Sequence, residues 1–183
     1  MPESSQINLD MIIAKSKIKK GMVVADYGCG SGFFTRKIAP IITNTGIVYG
    51  VDVMKDVLVS LQKLANMTGL QNIKTVWSDL ERLGATDIAT NSVDVGFIMN
   101  TLFQTNKEKE FLTEVSRMIK IDGLVVIVDW TDEAVSMIAP SADNRTGLGK
   151  VRSVAREVGC LKEIDVFVPG THHYGIVFQK INA

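Results

Sequence analysis

The sequence predicts a doubly wound α/β fold, in which helices pack on both faces of a mainly parallel, seven-stranded sheet. Short apolar runs rich in valine and isoleucine alternate with longer segments of helical period, as in consecutive βαβ units. The last two strand patterns follow each other without a helix, which predicts an antiparallel hairpin at the C-terminal end of the sheet. A length of 183 residues suits one domain with a buried core, and we expect residues 1–183 to form a single domain.

The strands predicted for the parallel part of the sheet are apolar on both faces, which is typical of strands buried between two helical layers. They cover Met22–Asp26, Ile47–Val53, Ile73–Trp77, Val93–Met99 and Leu124–Asp129. The helices predicted between them cover Gly32–Ile42, Lys55–Thr68 and Asn106–Ile119.

The two ends of the chain depart from this alternation. Before the first strand, Leu9–Lys19 has the pattern of an amphipathic helix. Near the C-terminus, Leu148–Val158 is a predicted helix, and Ile164–Val168 and Tyr174–Gln179 are predicted strands. Pro169–Gly170 stands between these two strands and predicts the turn of the hairpin.

Charge balance, cysteine content and the lack of a long apolar run limit the partners and the cellular compartment that we expect for the protein. Lys plus Arg equals Asp plus Glu at 20 each, so no overall positive charge would attract nucleic acid or an anionic membrane. A local basic cluster of Lys15, Lys17, Lys19 and Lys20 is predicted to be a solvated helix face. The two cysteines form no CxxC pair, so we expect no metal site and a reducing, cytoplasmic setting. We see no signal peptide and no membrane-spanning run.

The strongest chemical signal is a glycine-rich turn between the first predicted strand and the following helix. It reads Asp26-Tyr27-Gly28-Cys29-Gly30-Ser31-Gly32. Alternating glycines let the backbone turn tightly and approach a ligand closely, beside the free N–H groups of a helix start. The dinucleotide motif GxGxxG is not completed, because the bulky Phe33 stands where its last glycine would be. A carboxylate at Asp26 also favours a cationic ligand over a pyrophosphate.

Further polar signals follow the next three predicted strands. Asp52 ends the second strand, at the spacing where an acidic residue accepts hydrogen bonds from the two hydroxyls of a ribose. Asp79 follows the third strand, where a short polar side chain could meet the exocyclic amine of adenine, and Asn100 follows the fourth. Because doubly wound sheets bind ligands at the carboxyl ends of their strands, we expect these residues to surround one site.

Together these residues resemble the class I S-adenosylmethionine-dependent methyltransferases, over nearly the whole chain. The AspxGlyxGlyxGly pattern starting at Asp26 is similar to the first motif of that family, Asp52 to its acidic second motif and Asp79 to its adenine-side acid. Ile121-Asp122-Gly123 stands where the family has Pro-Gly-Gly before the fifth strand. The resemblance implies a Rossmann-like, three-layer methyltransferase fold with S-adenosylmethionine as cofactor. The cofactor-binding residues that it implies are Asp26, Tyr27, Gly28, Gly30, Gly32, Phe33, Asp52, Val53, Asp79, Leu80 and Asn100.

Within that family, the chain resembles a compact group related to the ubiquinone and menaquinone methyltransferases. Val128-Asp129-Trp130 after the fifth strand and His172-His173-Tyr174-Gly175 near the C-terminus carry this resemblance. It implies in-line methyl transfer to a small-molecule acceptor. The [Asp/Asn]-Pro-Pro-[Tyr/Phe] motif of amino-group methylation is absent after Asn100, which argues against a nucleic acid substrate.

The acceptor side of the site has weaker signals. The hairpin turn should lie on the same sheet edge as the glycines, which places His172 and His173 near the acceptor as candidate bases that titrate near neutral pH. Asp129 is a candidate to hold an amine or hydroxyl of the acceptor. Ordinary turn, capping or packing roles are the alternative for all three. Two segments are candidate lids: the N-terminal segment 1–20, as in relatives, and the loop Thr131–Thr146.

The sequence leaves three alternatives open. A nucleotide-binding oxidoreductase of the same architecture would bind NAD, although Phe33 and Asp26 argue against it. A non-catalytic subunit would bind S-adenosylmethionine without transferring its methyl group. An RNA or protein methyltransferase that works with a partner would have only the basic cluster to support it. Association into a homodimer is compatible with all of these.

Overall fold

In the computed structural model, which describes residues 7–135, 137 and 139–182, seven strands form one sheet with helices on both faces. The strands are β1 (Val23–Tyr27), β2 (Ile47–Asp52), β3 (Ile73–Trp77), β4 (Val93–Met99), β5 (Ile119–Trp130), β6 (Leu161–Gly170) and β7 (His173–Lys180). The helices are α1 (Leu9–Ser16), α2 (Phe33–Ile42), α3 (Lys55–Met67), α4 (Glu108–Met118) and α5 (Leu148–Val158), with 3-10 turns at Leu102–Gln104 and Ala142–Asn144. The predicted lids fall partly outside the described residues, at positions 1–6, 136 and 138.

The strand order is β3-β2-β1-β4-β5-β7-β6, which confirms the predicted fold class. Strands β1 to β5 pair in parallel. The order reverses between β1 and β4, because β2 and β3 extend to one side and β5 to the other. Such a reversal leaves a crevice at the carboxyl ends of the two central strands. The glycine-rich turn follows β1 and Asn100 follows β4, so both border this crevice.

The predicted turn at Ile121–Gly123 is part of β5 rather than a loop before it. Helix α4 continues directly into the strand, with Ile119 opposite Val93 and an irregular pairing after it. Gly123 is needed in this irregular stretch, because a Cβ there would lie 2.9 Å from the Asp94 carbonyl oxygen. The segment Ile121-Asp122-Gly123, which the resemblance placed before the fifth strand, thus belongs to an irregular stretch inside a longer strand.

The C-terminal hairpin is confirmed, with longer strands and a later turn than predicted. Strand β7 lies between β5 and β6 and pairs antiparallel with both, so β6 runs parallel to β5. The turn lies at Thr171–His172, because Pro169–Gly170 belongs to the irregular end of β6. Trp130 at the end of β5 therefore stands opposite His173 at the start of β7.

Two apolar cores hold the layers together, one on each face of the sheet. Helices α1, α2 and α3 cover one face, where Ile38, Leu61 and Phe97 are buried together. Helices α4 and α5 cover the other face, with Leu112 and Val151 in its core. Full burial of one such side chain contributes about 2 kcal/mol. The parallel strands supply both cores, which explains why their sequences are apolar on both faces.

Helix α1 ends at Ser16 rather than at the predicted Lys19, because Lys17 adopts a left-handed backbone conformation with φ +56°. Lys15 is therefore the member of the basic cluster that lies on the helix, and its ammonium pairs with Asp165 of β6 at 2.7 Å. The prediction that the cluster forms one solvated helix face is wrong. The ion pair instead fastens α1 to the hairpin.

A buried ion pair ties α4 to the segment between β3 and β4. The fully buried Glu114 pairs with Arg117 at 2.9 Å and accepts hydrogen bonds from the amides of Gly84 and Thr86. Arg117 donates in turn to the carbonyl oxygens of Thr86 and Ile88. Burial raises the pKa of Glu114, but these hydrogen bonds outweigh burial and hold the pKa at about 2.

Candidate functional site

The glycine-rich turn has a backbone that other residues adopt with strain. Gly28, Gly30 and Gly32 have φ of +77°, +52° and +74°. A Cβ at Gly28 would overlap Thr101, and one at Gly32 would overlap Leu61 of α3. A Cβ at Gly30 would meet nothing within 4 Å. The first and last of these glycines therefore allow close packing, whereas the backbone of Gly30 borders open space where a ligand can approach.

Asp52 at the end of β2 is fixed by the backbone on both sides of it. Its Oδ2 accepts a hydrogen bond from the amide of Gly30 at 2.9 Å, and its Oδ1 accepts one from the amide of Met54 at 2.9 Å. The amides of Gly28 and Cys29 both donate to the Val51 carbonyl oxygen. The carboxylate thus keeps a defined orientation beside the turn and retains free lone pairs, since each oxygen can accept more than one hydrogen bond.

Asp26 at the end of β1 is a buried carboxylate. Its side chain is 1% exposed, and its Oδ2 accepts a hydrogen bond from the Thr35 hydroxyl at 2.6 Å. Burial raises the pKa of Asp26 to about 6, even though the hydrogen bonds from Thr35 lower it. No lysine or arginine pairs with it within the part of the chain that the structure describes. A bound cation would therefore stabilise its charged form.

Two cavities meet at the glycine-rich turn. The Asp52 cavity has a volume of about 280 Å³ and is lined by Gly28, Gly30, Asp52, Val53, Met54, Val57, Ser78, Asp79, Leu80, Glu81, Thr101, Gln104, Thr105 and Phe111. The Trp130 cavity has a volume of about 680 Å³ and is lined by Ile7, Leu9, Asp26, Gly28, Cys29, Gly30, Ser31, Phe33, Phe34, Met99, Asn100, Gln104, Trp130 and His173. They share Gly28, Gly30 and Gln104, so one extended ligand could reach from the first into the second.

The Asp52 cavity combines carboxylates with apolar walls. Asp79 accepts a hydrogen bond from the amide of Glu81 at 3.0 Å. Glu81 accepts one from the Thr105 hydroxyl at 2.6 Å, which lowers the pKa of Glu81. Val53 and Leu80 add apolar surface. Acidic groups for hydroxyl and amine donors, together with flanking aliphatic side chains, suit a nucleoside without phosphate.

The Trp130 cavity is mainly apolar and aromatic. The ring of Trp130 stacks against the imidazole of His173 with centroids 4.2 Å apart. Phe33 at the start of α2 is 59% exposed, and its side chain forms part of the cavity lining. Ile7, which precedes α1, and Leu9, the first residue of α1, also line the cavity. The N-terminal helix thus borders the cavity, as a lid would, although its movement stays a prediction.

Asp129 precedes Trp130 on β5, and its carboxylate oxygens accept hydrogen bonds from backbone amides. Its side chain is fully buried and accepts hydrogen bonds from the amides of Leu102 at 3.0 Å and Trp130 at 2.8 Å. Burial raises the pKa of Asp129 to about 7, against the lowering effect of these amides. Asp129 lines neither cavity. It therefore holds the turn after β4 against the end of β5, as a capping residue does.

Most of the residues predicted from the sequence line one of the two cavities. These are Asp26, Gly28, Gly30, Phe33, Asp52, Val53, Asp79, Leu80, Asn100 and the candidate base His173. Their individual roles stay predictions. The placement agrees with the expectation that the carboxyl ends of β1, β2, β3 and β4 meet at one edge.

Four predicted residues lie elsewhere: Tyr27, Gly32, His172 and Asp129. The Tyr27 side chain is fully buried in the core with its hydroxyl 3.9 Å from the Met118 sulfur, so only its backbone borders the turn. Gly32 is needed for packing against α3. His172 lies in the hairpin turn, where its carbonyl oxygen accepts from the amide of Thr131. Sequence pattern alone does not show on which side of a strand a side chain ends.

Two lining residues and the hydrogen-bond partner of Asp26 had no signal that the sequence analysis used. Thr101 follows Asn100, and its hydroxyl donates to the carbonyl oxygen of Met99 at 3.0 Å. Gln104 ends the 3-10 turn Leu102–Gln104 and lines both cavities. Thr35, one turn into α2, is the partner of the buried Asp26. The sequence does contain one usable pattern: Thr35 is a hydroxyl residue in the first turn of the helix that follows Asp26 and the glycines. That pattern could have predicted the hydrogen bond to Asp26.

The donor set fits S-adenosylmethionine. This cofactor carries an ammonium and a sulfonium and no phosphate, and Asp26 is a desolvated carboxylate beside the turn. Asp52 is oriented with free lone pairs for hydroxyl donors. Among the described residues, no lysine or arginine lines either cavity, so nothing there would neutralise a pyrophosphate. The chemistry of the site therefore favours a cationic nucleoside cofactor over NAD.

Comparison with known proteins agrees with this geometry. A family profile described as a methyltransferase domain matches residues 18–163. The chain belongs to this methyltransferase family. It is a class I S-adenosylmethionine-dependent methyltransferase, with S-adenosylmethionine as its cofactor, so the oxidoreductase alternative no longer holds.

Relatives and solved structures are similar to this methyltransferase to different extents. A demethylmenaquinone methyltransferase of Staphylococcus aureus is 30% identical over 113 residues, which cover 61% of this chain and 44% of the relative. The ubiquinone/menaquinone biosynthesis C-methyltransferase UbiE of Citrobacter koseri is 25% identical over 129 residues, 70% of this chain and 50% of the relative. The methyltransferase thus spans about half the length of these relatives.

Solved structures show the same fold. A SAM dependent methyltransferase from Aquifex aeolicus has a TM-score of 0.87 at 22% identity and covers 96% of this chain and 90% of its own. A type 11 methyltransferase from Sulfolobus solfataricus has a TM-score of 0.75 at 24% identity, and the match covers 98% of this chain and 95% of the other. Within the described part of the chain, no helix has the length and apolar character needed to cross a bilayer.

Proposed function

We propose that this methyltransferase acts on a small, uncharged, largely apolar acceptor that binds in the Trp130 cavity. The observation that carries the proposal is the wall of aromatic and aliphatic side chains in that cavity, beside the glycine-rich turn. This wall is formed by Ile7, Leu9, Phe33, Phe34, Met99 and Trp130, and the other lining side chains are mostly small or polar. Asp26 is the one carboxylate among the described lining residues, and no lysine or arginine joins it. In the complex the cofactor ammonium would pair with Asp26, so the described lining leaves no lysine or arginine to bind an anionic acceptor, which disfavours it.

The cofactor would occupy the Asp52 cavity and reach across the turn. In this proposal, Asp52 accepts hydrogen bonds from the ribose hydroxyls, and Asp79 lies on the adenine side with Val53 and Leu80. Asp26 and the open backbone at Gly30 lie on the side of the amino-acid group. The bound cofactor supplies an electrophilic methyl group on a positively charged sulfur.

The residues of the chain then contribute orientation and exclusion of water rather than covalent chemistry. In-line displacement requires the nucleophilic atom of the acceptor to be close to the methyl carbon and aligned with it. The stacked pair of Trp130 and His173 provides a rigid wall for a planar acceptor. Leu9 and Ile7 of the N-terminal segment cover the same cavity and limit water access.

The names of the relatives support a ring-shaped acceptor. One is a demethylmenaquinone methyltransferase, and the other is a ubiquinone/menaquinone biosynthesis C-methyltransferase. A quinone-type ring would match the apolar, aromatic lining. We further propose that the chain works as one domain on such small molecules rather than on RNA or protein, because the basic cluster that would support a macromolecular substrate does not form one helix face.

Calorimetry and a methyl-transfer assay would test the proposal. The protein should bind S-adenosylmethionine and S-adenosylhomocysteine and should not bind NAD. Labelled methyl groups should then pass to neutral ring compounds such as hydroquinones and phenols in preference to matched carboxylic acids. Trp130→Ala should reduce this transfer and leave the affinity for S-adenosylhomocysteine unchanged. Transfer to the acids alone would contradict the proposed acceptor class.

A further inference from the structure

Two residues that line the Trp130 cavity each have a buried polar atom with no partner among the described residues. His173 is 3% exposed, and its Nε2 is buried without a hydrogen bond from any described residue. The Oδ1 of Asn100 is also buried, and no residue in the described part of the chain pairs with it. Both residues line this cavity. Native proteins leave few buried polar atoms unpaired, so two on residues that line one cavity need an explanation, and a bound molecule that pairs with them would provide it.

The position of the His173 ring is fixed by the fold. His173 is the first residue of β7 and stands opposite Trp130 of β5 in the sheet. Its ring lies 4.2 Å from the indole ring, with 38° between the two planes. Turning the imidazole away from the cavity would break this stack. The imidazole therefore lines the cavity in a position that is set by two neighbouring strands rather than by a mobile loop.

The environment keeps this imidazole neutral. Burial, and to a smaller extent charge repulsion from the neighbouring His172, lower the pKa of His173 to about 4. A neutral imidazole has one nitrogen that donates and one that accepts a hydrogen bond. At neutral pH the ring would therefore orient a substrate group, whereas it is too weakly basic to keep a proton taken from that group.

We propose that His173, assisted by Asn100, is the specificity residue of the acceptor site and selects aromatic compounds that carry a hydroxyl group. A hydroxyl both donates and accepts, so it can pair with Nε2 in either tautomer. When Nε2 carries the proton, the hydroxyl accepts from it and can donate its own single proton to the Oδ1 of Asn100. The apolar remainder of the lining accepts the ring. This inference rests on the proposed function, because it takes the Trp130 cavity as the acceptor site.

Paired probes of the same shape test the selection. The chain has two tryptophans, so Trp77→Phe leaves Trp130 as the only one, and its fluorescence reports ligands in the cavity. In this background, with saturating S-adenosylhomocysteine, 1-naphthol should bind roughly five- to tenfold more tightly than 1-methylnaphthalene, as expected for one neutral hydrogen bond. His173→Phe keeps an aromatic ring and should bring the two affinities to within about twofold of each other.

Two matched variants separate this role from a structural one. His172→Phe makes the same change at the neighbouring residue, outside the cavity lining, and should keep the preference for 1-naphthol. His173→Gln retains a polar group and should keep part of the preference. The urea midpoint of His173→Phe should equal or exceed that of the parent, because the variant removes an unpaired buried nitrogen. A packing or structural hydrogen-bonding role predicts no change in preference or a lower midpoint.

The possible results distinguish the inference from the proposed function. Equal affinity of the parent for both probes would overturn the role of His173 and leave the apolar acceptor site standing. A preference that survives in His173→Phe would do the same. If neither probe quenched Trp130 up to millimolar concentration while S-adenosylhomocysteine still bound, the proposed acceptor site would be wrong, and the role of His173 would fall with it.

Discussion

Replacement of Asp26 by asparagine should change stability and cofactor binding in opposite directions. The carboxylate is 1% exposed, and burial raises its pKa to about 6 despite the hydrogen bond from Thr35. In the ligand-free protein, a charged Asp26 is therefore unfavourable, and an amide of the same shape avoids this. In the complex, we propose that the same negative charge attracts the ammonium group of the cofactor. Asp26→Asn should make the free protein more stable and the complex weaker.

The two pKa values set the size of the stability effect. The rise from 3.8 to about 6 corresponds to about 3 kcal/mol, at 1.36 kcal/mol for each pH unit. Because the folded pKa lies above the unfolded one, Asp26 contributes this stability in full below pH 3.8 and loses it as the pH rises through about 6. At pH 8, the variant should therefore be more stable than the parent by up to about 3 kcal/mol.

Urea unfolding and calorimetry between pH 5 and pH 8 measure both effects. The affinity of the parent for S-adenosylhomocysteine should fall about tenfold between pH 7 and pH 5 as Asp26 takes up a proton. The variant should bind more weakly at pH 8 and lack this fall. Asp87→Asn, at an exposed acidic residue, is the control and should change neither property. A less stable Asp26→Asn at pH 8, or a parent affinity independent of pH, would refute the reasoning.

Three other changes have defined outcomes. Asp52→Ala should weaken binding of S-adenosylhomocysteine by roughly 1–3 kcal/mol, because hydrogen bonds to a charged partner are lost, and unchanged affinity in calorimetry would contradict its placement. Glu114→Gln should lose about 3 kcal/mol of stability above pH 4.5, because the folded pKa of about 2 lies below the unfolded one. That loss should shrink as the pH falls towards 2, whereas Glu110→Gln, on the exposed side of α4, should show none of it in urea unfolding. Gly32→Ala should lower the free energy of unfolding by about 1–3 kcal/mol, because the added methyl group overlaps with Leu61. The double variant with Leu61→Ala should lose less stability than the sum of the two single variants. Strictly additive losses would show that the overlap is not the cause.

Local pattern was sufficient to predict most elements of the fold. Strands β3 and β4 and helix α5 have the predicted bounds, because their apolar runs are flanked by polar or glycine residues that end them. Element ends that depend on distant partners were predicted less well. The start of β5 is set by its pairing with β4, and the end of α1 by the left-handed Lys17. Neither is visible in hydrophobic periodicity.

The cofactor side of the site could be predicted for a related reason. Once the strands are parallel and alternate with helices, their carboxyl ends must meet at one edge, so Asp26, Asp52, Asp79 and Asn100 converge whatever the details of packing. The acceptor side has no such rule. For Asp129, a substrate contact and a cap were equally compatible with the sequence, and only the amides of Leu102 and Trp130 show that its oxygens are occupied.

The sequence by itself determined the fold class, the hairpin and the chemistry of the cofactor, because these follow from periodicity and from charged residues at strand ends. Tertiary structure decided which way each side chain points. The Tyr27 side chain packs in the core, and the His173 ring packs against Trp130 with a nitrogen that no described residue pairs with. These outcomes depend on the register between β5 and β7 and on close packing, which are set by contacts between residues far apart in the chain.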